Sequence, residues 1–416
     1  MENKIEKDIL KGMIFENKKN RKKITVATTI TASGVIKAGG TNVINGLYTR
    51  LAQYFDIEMV YIAPINEKAR RYEIVPGLTE IVIPKTNAHV NAEREITLKL
   101  NATTSYDISL LYCLHHTPEY AKVLQESIKT SDIVIVDRPY LYYEVRKYLN
   151  GRALLQRSHN IEYFFKKANL PTNNYSSKIL ADLFELEKEC SENCNMNFMC
   201  SEEDMCTLNE MYGIENNKIN LIPNGVSCTD NPFCSIEERI NLKKKYGLAN
   251  EKIAIFIGGG HRPNIEACEM ILNVATYCDD TKFFFAGPLC STLETKKRSN
   301  NVGLLGTISE DSRKYLFSVS DISLNPMFSG SGSNVKMFDY MSMGLPIITS
   351  TFGARGISDK SHFHIANSIQ ELTDAIDNFD LLLEVTNTEN ARILVETEYD
   401  WKVIANKAKD YINEFI

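Results

Sequence analysis

The apolar positions of this chain fall in short unbroken runs rather than in alternation. "KITVATT" (23–29), "IEMVYIAP" (57–64), "TEIVIP" (79–84), "SDIVIVD" (131–137), "ALLQRS" (153–158) and "MNFMCS" (196–201) each read as a strand. Runs of this kind suit a parallel sheet covered on both faces. Val43, Ile44, Leu47 and Leu51 recur at helical spacing and predict a helix over 41–54. "PEYAKVLQESIK" (118–129) and "SKILADLFELEKECSENC" (177–194) read as further helices. The order strand, turn, helix, strand predicts crossover connections. "YGIENNKINLIPNGV" (212–226) closes the series in a Pro-Asn-Gly turn.

A polar stretch with a proline, "SCTDNPFCSIEE" (227–238), reads as a linker. A second series begins at "EKIAIFIGGG" (251–260). Helix 263–278, strand 281–287, a strand near 301–306, helix 309–320 and strand 321–326 follow. Then come the stretch 328–357, which ends in strand 346–350, and a strand near 363–366. The tail reads as helices over 368–379, 381–398 and 400–415. Two α/β halves of this kind are expected to face a cleft lined by the C-terminal ends of both sheets.

Composition narrows the picture. The 416 residues exceed one ordinary core and predict two domains. A formal net charge of -6 gives no general attraction to nucleic acid. No apolar run approaches the roughly 18 residues of a membrane span. The N-terminus lacks the apolar core of a secretory signal. Its basic run (1–23) reads either as a solvated leader or as a peripheral contact with anionic lipid. Ten cysteines without a C-x-x-C, and histidines without an H-E-x-x-H, predict buried or free thiols in a reducing cytosol.

Two glycine turns sit at strand ends, Gly39-Gly40 and Gly258-Gly259-Gly260. Either cradles a phosphate or makes a tight turn, and neither fits a G-x-G-x-x-G or a P-loop. The stretch 328–357 says more. Gly330 and Gly332 form a turn, Ser333 is placed to cap a helix starting near Asn334, and Gly344 with Pro346 ends it. Val335, Met337, Phe338, Tyr340 and Met341 nearly surround the axis, which predicts a buried helix. Lys336 and Asp339 share one stripe of it. Two charges on a buried helix need a reason. Either they pair with each other or meet solvent, or they face the cleft. There a lysine offsets phosphate charge and a carboxylate accepts bonds from ribose hydroxyls.

"GSGSNVKMFDYMSMGLPIITSTFGARGI" (330–357), "FIGGGHRPNIEAC" (256–268), "SEEDMCTLNEMYGIENNKINLIPNGV" (201–226) and "RSHNIEYFF" (157–165) together resemble the retaining, bacterial-type GT-B glycosyltransferases of family four, glycosyl transferases group 1. The likeness runs from about Ile24 to Trp401. It implies an α/β GT-B fold with two Rossmann-like domains facing an interdomain cleft. The implied divisions are a basic leader (1–23), an acceptor domain (24–226), a nucleotide-sugar domain (227–399) and a C-terminal helix (400–416) crossing back to the first domain.

Carried over residue by residue, the family's second donor-site carboxylate falls on Asp339 and its first on Ser331. Backbone N–H groups from Gly330, Ser331, Gly332 and Ser333, with Asn334 beside them, are expected to substitute for the missing acid. Arg262 and Lys336 are expected to hold the diphosphate, next to Gly259 and Gly260. Gly39 and Gly40 match the first-domain glycine loop. Asp137 falls on a catalytic-face position, or else, at a strand end, pairs with Arg138 or caps the next helix. His159 either binds an acceptor hydroxyl or donates to a backbone carbonyl.

The implied reaction moves a sugar from a nucleoside diphosphate sugar to an acceptor hydroxyl with retention. The chain has no D-x-D, so neither a metal nor another cofactor is expected. A Lys- and Asn-rich composition points to an AT-rich bacterial genome. Cell-surface glycan synthesis is therefore expected, in the cytoplasm or at the inner face of the membrane. Acceptor recognition is expected in first-domain loops such as "KTNAHVNAEREI" (85–96), with glycan, lipid-linked and protein acceptors all compatible. Three other readings compete: a nucleotide-sugar epimerase, a non-catalytic partner subunit suggested by Ser331, and a dinucleotide-dependent oxidoreductase, which lacks its fingerprint.

Overall fold

The computed structural model describes residues 21–33, 39–101 and 106–416. The expected leader, up to residue 20, lies outside the described residues. Strands β1 (Lys23–Thr28), β2 (Asp56–Ala63), β3 (Arg70–Val75), β4 (Leu78–Pro84), β5 (Ile133–Asp137), β6 (Ala153–Arg157), β7 (Met196–Met199) and β8 (Ile219–Leu221) form one sheet in the order β3-β4-β2-β1-β5-β6-β7-β8. From β4 to β6 the neighbours are parallel. All five residues of β5 are buried, as its unbroken apolar run requires. The crossovers leave β1 in opposite directions, toward β2 on one side and β5 on the other. This puts a switch point at the C-terminal ends of β1 and β5.

Three features of this region depart from expectation. Strand β3 pairs antiparallel with β4. Its Arg70, Arg71 and Glu73 hid it from an apolar scan, and charge of this kind protects an exposed edge. Residues 85–96, expected as a loop, lie largely in a helix over Asn87–Leu100, where Thr86 accepts from the backbone N–H of His89. Only His89, Ile96 and Leu100 of it are buried, so its apolar stripe is thin. Finally, Gly39 and Gly40 open the helix Gly39–Leu51 rather than precede it.

The second sheet contains β9 (Lys252–Ile257), β10 (Thr281–Ala286), β11 (Val302–Leu304), β12 (Ile322–Asn325), β13 (Ile347–Thr349) and β14 (His364–Ile365), in the order β11-β10-β9-β12-β13-β14. Every pair is parallel. One face buries Phe256, Phe283, Phe285 and Leu324 against Ala267 and Ile271 of the helix Arg262–Val274. The other buries Ile255 and Ile347 against Met337, Phe338, Tyr340 and Met341. The helix Val335–Ser342 is thus a core element, as its nearly all-round apolar surface predicts. This sheet's switch point lies at the ends of β9 and β12. The expected linker, 227–238, ends in the start of the helix Ile236–Lys245, where Ser235 and Glu238 form a capping box.

The described residues fall into two compact units: those up to Arg157 with 185–197 and 405–416 in one, and 158–184 with 198–404 in the other. The end of the C-terminal helix, Trp401–Asn413, belongs to the first unit, where Tyr54 Oη donates to Asn406 Oδ1 and Lys409 lies over the Tyr54 ring. None of the ten cysteines forms a disulfide, and nine are buried. No helix among the described residues is long and apolar enough to cross a membrane.

Candidate active site

In the second unit, β9 ends in Gly258, Gly259 and Gly260, and β12 leads to the turn before Val335. The chain approaches itself closely here. A Cβ on Gly287 would lie 2.3 Å from the Gly258 carbonyl oxygen. Asn264 links the two sides of the switch point. Its Nδ2 donates to the Gly259 carbonyl at 3.1 Å, and its Oδ1 accepts from Lys336 Nζ at 2.8 Å. The ammonium also lies 4.0 Å from the Phe256 ring centroid and 3.9 Å from Met327 Sδ. Among the described residues no carboxylate ion-pairs with it. Burial therefore pulls its pKa down from the usual lysine value to about 7.

Asp339 takes a different partner. Arg313 Nη1 lies 3.4 Å from its Oδ1. Arg313 is 9% exposed, also pairs with Glu310, donates to Asn231 Oδ1 at 2.6 Å and lies over Phe317. Burial raises the Asp339 pKa, and Arg313 opposes that rise. Lys336 and Asp339 thus neither pair with each other nor stand free in solvent. Their helix is held at its C-terminal end by two arginines. Buried Arg239 donates to the carbonyls of Phe317, Ser320, Cys234, Met343 and Gly344. Arg392 donates to the carbonyls of Ser342, Asn231 and Cys228. Guanidinium groups suit helix C-termini because the unpaired carbonyls and the dipole there are negative.

The glycine-serine turn is fixed by close contact. Gly332 has φ 68°, and a Cβ there would lie 2.6 Å from both Asn160 Oδ1 and the His159 carbonyl. The Asn160 carboxamide meets Ser331 Oγ at 3.2 Å. With its amide turned toward Ser331, it also donates to the backbone oxygens of Ser331 and His159. Ser333 does not cap the following helix. Its hydroxyl accepts from Asn224 Nδ2 at 2.9 Å, and the N-cap is Asn334, whose Nδ2 donates to the Gly353 carbonyl.

The second unit therefore brings together His159, Gly259, Gly260, Gly330, Ser331, Gly332, Ser333, Asn334, Lys336 and Asp339. Arg262 is in the same unit, on the first turn of its helix. Its side chain is 72% exposed and pairs with Glu266, whose other oxygen accepts from Ser329. His159 is buried, and its carbonyl accepts from Cys200 Sγ. Gly39, Gly40 and Asp137 belong to the first unit. Asp137 ends β5 at that sheet's switch point, is 1% exposed and accepts from Tyr48 Oη at 3.2 Å. Arg138, beside it, pairs with Asp107 at 2.8 Å and holds a φ of 65°. Asn160, Asn264 and Arg313 do not stand out in the sequence. Only Asn264, at the start of the helix after the glycine run, carries a local signal.

Two parallel-rich sheets, each with its own switch point, define an α/β fold of the GT-B type with two Rossmann-like domains. The sucrose-phosphate synthase of Thermosynechococcus elongatus superposes with a TM-score of 0.72 at 13% identity, over 95% of this chain and 99% of that one. Anabaena HepE in complex with UDP-glucose gives 0.66 at 12% identity, over 94% and 99%. The α,α-trehalose 6-phosphate synthase of Burkholderia multivorans gives 0.64 at 11% identity, over 95% and 98%. No curated protein sequence matches the chain. Residues 251–379 match the family model of the glycosyl transferases group 1. The chain carries that group's domain and is a glycosyltransferase.

Proposed function

We propose that this glycosyltransferase uses a nucleoside diphosphate sugar and transfers the sugar, with retention, to an acceptor hydroxyl in cell-surface glycan synthesis on the cytoplasmic side of the membrane. The observation that carries the donor assignment is the Lys336 ammonium. It sits at the switch point of the second sheet, beside the glycine run, with no carboxylate ion-paired to it among the described residues. Diphosphate departure builds negative charge, and a preorganised cation together with backbone N–H groups favours that charge as it forms. Asp339 is assigned to the ribose hydroxyls. The HepE structures with UDP-glucose and with UDP support a uridine nucleotide as the first donor to test. The chain lacks a D-x-D, and transfer without a metal is part of this reading.

A thermal-shift screen against UDP, GDP, ADP, dTDP and CDP tests the donor site, since a ligand that binds only the folded state raises its melting temperature. At least one nucleotide should stabilise the protein. No shift with any of them at millimolar levels defeats the assignment. One observation favours a second reading, a non-catalytic nucleotide-binding subunit. Ser331 stands where the family's first carboxylate is expected, and Asn160 occupies its hydroxyl. In that case the nucleotide binds, but the purified chain neither transfers nor hydrolyses the sugar.

A further inference from the structure

A groove of about 350 Å³ lies against the glycine-serine turn. All of its lining residues belong to the second unit, and Ser329, Gly330 and Ser331 form one edge. Phe164, 41% exposed on the helix Glu162–Asn169, and Phe352 supply aromatic surface. Lys167 and Arg355 supply positive charge. A groove of this size holds one or two sugar rings, and exposed rings suit the apolar faces of a carbohydrate.

The charges in the groove are unevenly matched. Arg355 Nη2 pairs with Asp204 at 2.8 Å, and the guanidinium lies 5.2 Å from the Phe352 centroid. Its Nε is buried without an acceptor. Asp204 is itself fully engaged: Oδ1 meets Arg355, Oδ2 accepts from Cys200 Sγ, and only 1% of the residue is exposed. Lys167 is exposed and touches the Tyr163 ring at 5.6 Å, with no ion pair among the described residues. Glu266, which accepts from the lining residue Ser329, is held by Arg262. Among its lining residues the groove thus has one cation without an ion pair, Lys167, a guanidinium paired with Asp204, and no carboxylate without a cation.

We infer that this groove receives the acceptor, and that the acceptor is an anionic sugar whose carboxylate or phosphate is met by Lys167 and Arg355. Charge-assisted bonds from lysine and arginine are the strong way to recognise either group. The assignment of an acceptor, rather than a ligand of another kind, rests on the proposed transfer reaction. Groove occupancy does not require that reaction.

The test uses the full chain and three probes: glucose 6-phosphate, glucuronate and glucose. Their binding is measured by calorimetry with and without saturating UDP. At least one acid should bind about ten-fold more tightly than glucose, the worth of one charge-assisted hydrogen bond. Lys167→Glu should remove that preference and leave the Kd for UDP unchanged. Preference for glucose 6-phosphate identifies a phosphate acceptor, and preference for glucuronate a carboxylate one. Equal binding of all three overturns the inference, as does no binding at millimolar levels or a preference that survives Lys167→Glu. Failure of UDP to bind defeats the donor site alone, because the arm without UDP still reads the groove.

Discussion

Lys336 Nζ lies 2.8 Å from Asn264 Oδ1, a neutral acceptor, so the lysine enters the switch point of the second sheet with no ion-paired carboxylate among the described residues. Burial holds its pKa near 7, against the ordinary lysine value of 10.5. A bound diphosphate favours the ammonium and raises that pKa, so donor binding takes up a proton above pH 7. Affinity for UDP-glucose should be flat below pH 7. It should fall by up to about ten-fold per pH unit above it, until the pKa of the complex is reached. The unliganded protein behaves oppositely. Its folded state binds fewer protons than the unfolded chain between the two pKa values, so this residue's contribution to stability rises with pH across that window. Calorimetric titration from neutral to alkaline pH reads the first effect and urea unfolding the second. Lys336→Met should weaken binding and flatten both profiles.

Asp339 and Arg313 make a second prediction. Arg313 favours the charged form of a carboxylate that burial disfavours, and fixes one of its oxygens. If the other oxygen accepts from ribose, Asp339→Ala should weaken UDP binding by about ten- to a hundred-fold, the range for a hydrogen bond to a charged group. Binding of 2′-deoxy-UDP should fall less. Arg313→Gln should reduce the discrimination between ribose and deoxyribose by a smaller factor. Equal loss for both nucleotides removes Asp339 from ribose recognition.

The parts of this fold legible from sequence are those where burial dictates residue type. The strands β1, β2, β5, β9 and β12 are covered on both faces, so their apolar runs are unbroken. The helix at 335–342 is buried nearly all round and reads as such. Strand β3 and the helix Asn87–Leu100 are largely solvated, leaving no apolar pattern to detect. In the site, glycines and a buried charge stand out because their cost demands an explanation. The partners of that charge do not. Asn264, Arg313 and Asn160 are ordinary polar residues whose roles come from contacts 72, 26 and 171 positions away in the chain. The Ser333 cap failed for the same reason, since Asn224 competes for the hydroxyl from a distant segment.

Arg239 should matter to folding more than any residue of the site. Its guanidinium is buried and satisfies carbonyls at the ends of two helices, Glu310–Val319 and Val335–Ser342. Arg239→Met removes the cation and strands several buried acceptors, each costing about 1–3 kcal/mol. A loss of roughly 3 kcal/mol or more is expected in urea unfolding. Arg239→Lys should recover only part of it, because an ammonium has three donors and no planar fork.

Gly332→Ala tests the turn itself. The added methyl group would meet the His159 carbonyl and Asn160 Oδ1 at 2.6 Å, at a φ that L-residues rarely adopt. The turn must shift away from Asn160, carrying the backbone N–H groups of Ser331 and Ser333 with it. Sugar transfer should fall by about a hundred-fold, as misplacement of about 1 Å at a reacting centre can cost. UDP affinity, which depends on Lys336 and Asp339 further along the helix, should change little. Equal losses in affinity and turnover mean that the turn and the helix move as one body.

Activity in EDTA separates two ways of handling the diphosphate charge. If Lys336 and backbone N–H groups bear that charge as it develops, transfer should persist undiminished after chelation and dialysis. A bound Mg²⁺ or Mn²⁺ acting as an electrostatic clamp contributes several kcal/mol of transition-state stabilisation, so its removal would cost at least about a hundred-fold in rate. Loss of activity in EDTA that is restored by adding either ion would transfer the role from the lysine to a metal. Lys336→Met should then affect turnover far less than chelation does. Persistence of transfer in EDTA together with a large kcat loss in Lys336→Met is the outcome expected of a site in which side chains, not a metal ion, bear the diphosphate charge.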